Sequence, residues 1–302
     1  MYESLSLWNN APVRQLILDF VFAVATPGGP NFIPPAERIA TFDNDGTLWC
    51  EKPAVIQLFF AIQRLKELAI ANPSLLEQPS YKAAAADDLS YFTSLYPSNP
   101  TEWENLLHDT HIGMTQSEFE DQVVTFLSRE IHPRFGVPFK QLTYKPMVEL
   151  IHYLEAHDFK VFIATSGGMT FVRPVSEEIY GVSRERVFGS NEIFESRLTN
   201  HGPVVYRKAK LFDLVDGLSK PVNIELHIGR TPILAVGNAD GDVHMLWYSE
   251  TSPYKSLQLL LHHDDADREY AYEGGAENVL QLAANHNWHV ISMKRDFLKV
   301  FS

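Results

Sequence analysis

Two aspartates separated by a single residue, Asp43 and Asp45, stand directly after a short, mostly apolar segment, residues 38–42. Carboxylates this close repel each other unless a cation offsets their charge, and their hard oxygens are ligands that suit Mg²⁺. Gly46 follows the pair and lets the backbone turn tightly beside it. The alternative is a polar turn in which Asp45 caps a helix. The pair therefore indicates either a divalent-cation site or an ordinary turn.

A second loop with chemical potential contains Ser166, Gly167 and Gly168, and it follows the apolar segment 161–164. A helical pattern begins directly after it. A hydroxyl group and glycine amides at the start of a helix are suited to binding phosphate. The alternative is an ordinary serine cap with glycines that allow the chain to turn.

A third loop is acidic and follows the apolar segment 233–236. It contains Asn238, Asp240 and Asp242, so it could complete a cation site begun by the first loop. Lys220 opens the short helical pattern that precedes this segment. A lysine there could reach a phosphate group and reduce the repulsion within the acidic cluster.

The elements that must position these loops are short apolar strands separated by helices. Five apolar segments have the character of parallel strands that are covered on both faces: residues 38–42, 161–164, 233–236, 257–261 and 290–293. Helical patterns between them cover residues 147–154, 171–179, 222–228 and 276–284. This alternation predicts an α/β fold with a parallel sheet, helices on both faces and right-handed crossovers. The loops that follow the strands should then meet at one edge of the sheet.

Residues 50–143 interrupt this alternation. Apolar periodicity predicts helices in this stretch, including residues 55–65, 83–92 and 117–129, and we find no convincing strand pattern between them. We therefore expect a helical insertion that leaves the loop after the first strand. Residues 187–206 predict a small antiparallel excursion from the main sheet.

Composition excludes several broad classes of function. The chain has 302 residues, with 25 Lys and Arg against 38 Asp and Glu and a formal net charge of −13. We therefore expect no binding to nucleic acid or to anionic membranes, since both require a basic surface. The sequence has no uninterrupted run of about 18 apolar residues, so we expect no membrane-spanning helix. The sequence gives no indication of an oligomeric state.

The single cysteine, Cys50, excludes an intrachain disulfide and favours a reducing compartment such as the cytoplasm. Residues 16–25 are apolar and end in a sequence with the form of a signal-peptide cleavage site. Asp19 interrupts this run, and the residues before it lack a positively charged leader. We expect an amphipathic first helix, with an atypical signal peptide as the alternative.

In this order, the motifs resemble those of the haloacid dehalogenase-like (HAD) hydrolase superfamily, and its phosphoserine-phosphatase-like branch in particular. The resemblance covers about residues 38–246 and includes Asp43-Asn-Asp-Gly-Thr47, Ser166-Gly-Gly, the helix-opening Lys220 and Gly-Asn-x-x-Gly-Asp242. It implies a Rossmann-like core, formed by residues 1–49 and 144–302, and a helical cap domain formed by residues 50–143. The implied activity is Mg²⁺-dependent hydrolysis of a phosphate monoester.

The same resemblance implies the roles of individual residues. Asp43 would be the nucleophile that forms an aspartyl-phosphate, and Asp45 would protonate the leaving oxygen and then activate water. Ser166 and Lys220 would act on the phosphoryl group. They would bind it together with Thr47 and the amides at Gly167 and Gly168.

The implied Mg²⁺ ligands are Asp43, the main-chain carbonyl of Asp45, and the acidic loop with Asn238 and Asp242. This loop departs from the family pattern, because Asn238 stands where the first acidic residue is usual. Either Asn238 binds the metal through its amide oxygen, or Asp240 supplies a carboxylate with Asp242.

The lysine is also ambiguous, because Lys208 is an alternative to Lys220. We favour Lys220, since it opens the helix immediately before the strand of the last motif.

The resulting prediction is a phosphatase that acts on a small phosphorylated metabolite. Asp45 argues against a halide-releasing enzyme, because carbon–halogen cleavage needs no acid for the leaving group. A phosphotransferase or phosphomutase would share all of these motifs. A catalytically weakened phosphate-binding protein is a further alternative, and Asn238 is the residue that supports it.

Overall fold

A seven-stranded sheet forms the centre of the protein, in a computed structural model that describes residues 4–95 and 98–301. Its strands are β1 (Ile39–Phe42), β2 (Lys160–Gly168), β3 (Val187–Thr199), β4 (Gly202–Asp213), β5 (Leu234–Gly237), β6 (Leu257–His262) and β7 (His289–Ser292). The spatial order is β4-β3-β2-β1-β5-β6-β7. All neighbouring strands are parallel except β3 and β4, which are antiparallel. The predicted α/β fold with a mostly parallel sheet is confirmed.

The first strand occupies the middle of this sheet. All four residues of β1 are buried, and Ala40 pairs with Val161 of β2 on one side and with Leu234 of β5 on the other. The strand order reverses between β1 and β5, and ligands of open α/β sheets bind where such a reversal occurs. The fold therefore brings together the carboxyl ends of β1, β2 and β5 and the residues that follow them.

Twelve α-helices are present in the described part of the chain: α1 (Pro12–Ala25), α2 (Ile56–Ala71), α3 (Pro79–Ala85), α4 (Leu89–Thr93), α5 (Pro100–His111), α6 (Gln116–Arg129), α7 (Lys145–Ala156), α8 (Met169–Tyr180), α9 (Ser219–His227), α10 (Val243–Glu250), α11 (Glu277–His286) and α12 (Met293–Asp296). None of them is long and apolar enough to cross a membrane.

Helices cover both faces of the sheet. Successive residues of a strand point to opposite faces, so they pack against different helices. Leu259 and Leu261 of β6 belong to one buried cluster, which includes residues of α1, α7 and α8. Leu260 belongs to a second cluster, which includes residues of α9, α10 and α11. Residues 16–25, the apolar run near the start of the chain, lie within α1, and Ile17 and Val21 are among the residues that it buries against the first cluster.

Residues 50–143 contain α2 to α6 and no β-strand among their described residues. Part of this insertion has its own apolar cluster, with Leu65, Tyr81 and Phe92 among its buried members. The prediction of a single helix over residues 83–92 is wrong. The chain forms α3 and α4 instead, because it turns at Asp87, which has a positive φ of 55°.

The two ends of the insertion lie side by side. Trp49 and Thr143 form an antiparallel bridge, and the main-chain nitrogen of Cys50 donates to the carbonyl of Leu142 at 3.0 Å. The main-chain nitrogen of Tyr144 completes the pairing by donating to the carbonyl of Leu48 at 2.9 Å. The insertion therefore leaves and re-enters the core at one place, close to the end of β1.

The antiparallel excursion predicted within residues 187–206 is present and is longer than expected. The start of β3 pairs with β2 in parallel, and the remainder pairs with β4 as a hairpin. This hairpin also contacts the insertion, because Arg207 of β4 donates from Nε to the carbonyl of His111 at 2.8 Å. Tyr206 forms a further bridge with Thr115, just before α6.

Candidate active site

The chain turns sharply after β1, and this turn carries both aspartates. The main-chain nitrogen of Asp43 donates to the carbonyl of Val236 at 2.9 Å, which extends the pairing with β5 by one residue. Gly46 has a φ of +75°, and a Cβ at this position would lie 2.1 Å from Nδ2 of Asn238. Only glycine allows both this backbone conformation and this close approach. The turn thus holds Asp43 and Asp45 at the carboxyl end of the central strand.

A buried lysine joins two of the three loops. Nζ of Lys220 lies 2.7 Å from Oδ1 of Asp43 and 2.6 Å from Oδ1 of Asp242. Lys220 is in the first turn of α9, and all three residues are buried. The turn after β1 and the loop after β5 therefore share a single ammonium group.

The charges at this position are not balanced. Burial is the largest cause that raises the pKa of Asp43 well above its usual value, and repulsion from Asp242 adds to it, while Lys220 acts in the opposite direction. Burial alone lowers the pKa of Lys220, but attraction to Asp242 and Asp43 outweighs burial and raises it. The lysine therefore remains charged, and its single positive charge is shared by two carboxyl groups.

Asp45 lies at the same edge in a different environment. Burial raises its pKa to about 6, a hydrogen bond from Trp49 opposes this increase, and the charge of Glu51 contributes to it. Nε1 of Trp49 donates to Oδ1 of Asp45 at 2.8 Å. A Cβ on Gly167 would lie 3.2 Å from Oδ2 of Asp45, so this carboxyl group adjoins the glycines at the end of β2. A carboxyl group with a pKa near 6 can exchange a proton at physiological pH.

Residues 166–168 were predicted as a loop after the strand, but they form the end of β2, and the amides of both glycines already have partners. Ser166 is exposed. The main-chain nitrogen of Gly167 donates to Oγ1 of Thr165 at 3.0 Å. The main-chain nitrogen of Gly168, at the start of α8, donates to Oε1 of Gln57 at 2.8 Å. Gln57 belongs to α2 of the insertion, so the insertion contacts the glycines that are predicted to bind phosphate.

Asn238 and Thr47 connect the first and third loops. Oγ1 of Thr47 donates to Oδ1 of Asn238 at 3.0 Å, and Nδ2 of Asn238 donates to Oε1 of Glu51 at 3.1 Å. Oδ2 of Asp242 accepts from the main-chain nitrogens of Asn238 and Ala239 at 2.9 and 3.1 Å. These bonds orient the amide of Asn238 and the carboxylate of Asp242.

Two alternatives from the sequence lie elsewhere. Asp240 turns toward α11, where its Oδ1 accepts from the main-chain nitrogen of Val279 at 2.7 Å. Lys208 is exposed on β4, and its Nζ is 3.6 Å from Oε2 of Glu195. The structure therefore brings Asn238, Asp242 and Lys220 to this edge, and neither Asp240 nor Lys208.

Glu51 and Gln57 belong to this neighbourhood and were not identified from the sequence. Both lie in the segment that leaves the turn after β1, within fifteen residues of Asp43. Their short separation from the aspartates is the only sequence signal that could have suggested them. Their contacts depend on the path of the insertion, which neither composition nor periodicity specifies.

The chemistry of the donor set fits Mg²⁺. Asp43, Asp45 and Asp242 bring three carboxyl groups to this edge against the one ammonium of Lys220, which leaves an excess of negative charge. Among the described residues, no group of three or more His, Cys, Asp or Glu side chains forms a metal site by itself. A Mg²⁺ here would use carboxylates of Asp43 and Asp242 with the main-chain oxygen of Asp45 and the amide oxygen of Asn238. These are the hard oxygen donors that this cation prefers.

The chain matches the family model for haloacid dehalogenase-like hydrolases over residues 40–246, a range that contains the whole candidate site. No curated protein matches the chain. Among solved structures, the chain resembles a conserved protein of unknown function from Anaerococcus prevotii, with a TM-score of 0.59 and 14% identity over 93% of this chain and 91% of that one. It also resembles a protein of unknown function from Bordetella pertussis Tohama I, with a TM-score of 0.51 and 13% identity over 84% of this chain and 98% of that one. A phosphoserine phosphohydrolase-like protein from Francisella tularensis aligns with a TM-score of 0.44 and 16% identity over 86% of this chain and 95% of that one.

Proposed function

The chain belongs to the haloacid dehalogenase-like hydrolase family, and we propose that it is a Mg²⁺-dependent phosphatase that hydrolyses a small phosphorylated metabolite. The observation that carries this proposal is the buried contact of Lys220 with both Asp43 and Asp242, at 2.7 and 2.6 Å. A lysine in this position fixes one oxygen of Asp43 and brings positive charge to the point where a phosphoryl group would bind. Phosphoryl transfer depends mainly on such positioning and charge neutralisation.

In the first step, a carboxylate oxygen of Asp43 attacks phosphorus and forms an aspartyl-phosphate. The bond between phosphorus and the ester oxygen breaks, and Asp45 gives its proton to the leaving oxygen. In the second step, Asp45 accepts a proton from a water molecule, which attacks the same phosphorus. Inorganic phosphate leaves, and the carboxylate of Asp43 is restored. The pKa of about 6 for Asp45 supports its use as an acid and then as a base.

The phosphoryl group is held by Ser166, the main-chain nitrogens of Gly167 and Gly168, Thr47 and Lys220. The nitrogen of Gly168 now donates to a side-chain amide oxygen at 2.8 Å, and a phosphate oxygen is an equivalent acceptor that can replace it. When Mg²⁺ is bound, it neutralises charge on the phosphoryl oxygens.

We further propose that residues 50–143 form a cap domain over a core of residues 1–49 and 144–302. The contact between Gln57 and Gly168 supports this assignment, because it joins the first helix of the insertion to the end of β2. A cap over the site would exclude water during the first step and would contact the part of the substrate beyond its phosphate.

The test is release of inorganic phosphate from an aryl phosphate, with Mg²⁺ and with EDTA. We expect Mg²⁺-dependent release by the wild type and a loss of about 10³-fold or more in Asp43→Asn. Asp240→Asn is the matched control, since it changes an aspartate of the third loop that points toward α11, and its rate should stay within about threefold of the wild type. Rapid acid quenching should also trap a phosphoryl group on the peptide that contains Asp43.

The alternatives give different results in the same experiment. A wild type no faster than Asp43→Asn, across several substrates and metals, would support a phosphate-binding protein and refute the phosphatase. With an acceptor alcohol present, a phosphotransferase would release more phenol from the aryl phosphate than inorganic phosphate, because part of the phosphoryl group is transferred to the acceptor. A screen of phosphorylated metabolites for phosphate release would then identify the substrate class.

A further inference from the structure

Glu51 contacts the residue whose side chain departs from the family pattern. Nδ2 of Asn238 donates to Oε1 of Glu51 at 3.1 Å, while Oδ1 of Asn238 accepts from Thr47 at 3.0 Å. Donation to a carboxylate and acceptance from a hydroxyl together fix which end of the amide faces which neighbour. Asn238 can make both bonds because an amide has a donor and an acceptor. An aspartate has no donor to offer Glu51.

Glu51 is itself held from the far end of the chain. Its Oε1 accepts a hydrogen bond of 2.6 Å from the hydroxyl of Tyr272. The ring of Tyr272 stacks on His263 with 4.4 Å between centroids, and Nε2 of His263 lies 2.8 Å from the carbonyl oxygen of Gly46. The Glu51 carboxylate is therefore anchored to the same turn that carries the two aspartates.

The packing around Gly46 places this carboxylate beside the cation site. A Cβ on Gly46 would lie 2.7 Å from Oε1 of Glu51 and 2.1 Å from Nδ2 of Asn238. The negative charge of Glu51 also acts on Asp45, where it raises the pKa. The charge of Glu51 thus acts on Asp45, whose main-chain oxygen is one of the expected Mg²⁺ ligands.

We propose that Glu51 is the positioning carboxylate of the cation site. Through Asn238 it orients an amide oxygen, and it supplies next to that amide the negative charge that an aspartate at position 238 would carry. Carboxylates that orient the ligands of a metal commonly have this effect, and their loss typically weakens metal binding by about 10–100-fold. The inference rests on the proposed function only in that Mg²⁺ is the cation.

The experiment moves the charge between the two positions. Mg²⁺ alone is titrated calorimetrically into the metal-free full-length protein, without substrate, for the wild type, Glu51→Gln, Asn238→Asp and the double variant. We expect Glu51→Gln to weaken Mg²⁺ binding by about 10-fold or more, and the double variant to bind within about threefold of the wild type. Glu273→Gln, which changes a carboxylate that is mostly exposed, should stay within about threefold as well.

The thermal stability of the metal-free protein tests the contact between Glu51 and Asn238 independently. Asn238→Asp alone places two carboxylates at hydrogen-bond distance, so its Tm in EDTA should fall below that of the wild type. Adding Glu51→Gln restores a donor between the two side chains and should recover at least half of that loss. A Glu51 that served only to hold Tyr272 would give no recovery, because Asn238→Asp does not touch that bond.

Several results would overturn the proposal. One is a Glu51→Gln variant that binds Mg²⁺ within threefold of the wild type. Another is a double variant that binds as weakly as Glu51→Gln. A wild type without measurable Mg²⁺ binding overturns it too. If Glu51→Gln fails to fold, the double variant decides, because it contains the same glutamine with the charge returned.

These results are separable from those for the proposed function. A wild type that hydrolyses phosphate esters, but binds Mg²⁺ equally well without Glu51, refutes only the role of Glu51. A charge swap that restores Mg²⁺ binding in a protein without phosphatase activity refutes only the phosphatase.

Discussion

Replacing Asp45 by asparagine should stabilise the metal-free protein at high pH while it slows turnover. Burial raises the pKa of Asp45 to about 6, against a usual value of 3.8. A carboxyl group whose pKa rises on folding favours the folded state fully while it is protonated, below about pH 4. That advantage is lost as the pH rises through about 6. Above this pH, the folded protein carries the cost of an ionised Asp45.

The size of this cost follows from the shift. The difference between 3.8 and about 6 is about two pKa units, which corresponds to about 3 kcal/mol. An asparagine has nearly the same shape, and its side-chain oxygen can accept the hydrogen bond that Nε1 of Trp49 donates at 2.8 Å. Asp45→Asn should therefore raise the free energy of unfolding by about 3 kcal/mol at about pH 8 and change it little at about pH 4.

Urea unfolding in EDTA, at both pH values, measures this difference. Asp19→Asn is the matched control, because Asp19 is exposed on α1, and its effect should stay within about 0.5 kcal/mol at either pH. In the presence of Mg²⁺, Asp45→Asn should slow turnover by about 10²–10⁴-fold. Equal stabilisation at the two pH values, or none at the higher one, would refute the assignment of a buried and costly charge to Asp45.

Two further substitutions test the neighbouring groups. Lys220→Met should lower the free energy of unfolding by about 3–5 kcal/mol at about pH 8, because Asp43 and Asp242 lose the ammonium that they share; urea unfolding as stable as the wild type would contradict the bridging role. Trp49→Phe removes the hydrogen bond that lowers the pKa of Asp45. The pH profile of kcat/KM should fall as the pH rises through the pKa of Asp45, and this decline should move to higher pH in Trp49→Phe. An unchanged or lower position would exclude Asp45 as the acid.

The sheet could be predicted because strands covered on both faces must be apolar almost throughout. Each of the five predicted segments coincides with a parallel strand, and the helices predicted between them are present as well. The two short helices α3 and α4 could not be predicted from periodicity. Their separation depends on the positive φ of Asp87, and an aspartate in an apolar-periodic run carries no clear signal of a turn.

The candidate site was predictable to the extent that it depends on strand ends. Asp43 and Asp242 follow the carboxyl ends of β1 and β5, which are neighbours in the sheet, and Lys220 in the first turn of α9 lies against both. The contacts of Glu51 and Gln57 were not predictable, because they are made with Tyr272 and Gly168, which lie 221 and 111 residues away in the chain. Such contacts follow from tertiary packing, and a single sequence holds no pattern that encodes them.

The bridge between Trp49 and Thr143 has a consequence for how this protein can change. The chain leaves and re-enters the core through two paired segments. The distance between these segments is therefore independent of the length of polypeptide that connects them. Helices can be lengthened, lost or exchanged in the interval without altering the turn that bears Asp43. The helices of the insertion can therefore vary in sequence and number while the turn with the two aspartates keeps its place at the end of β1.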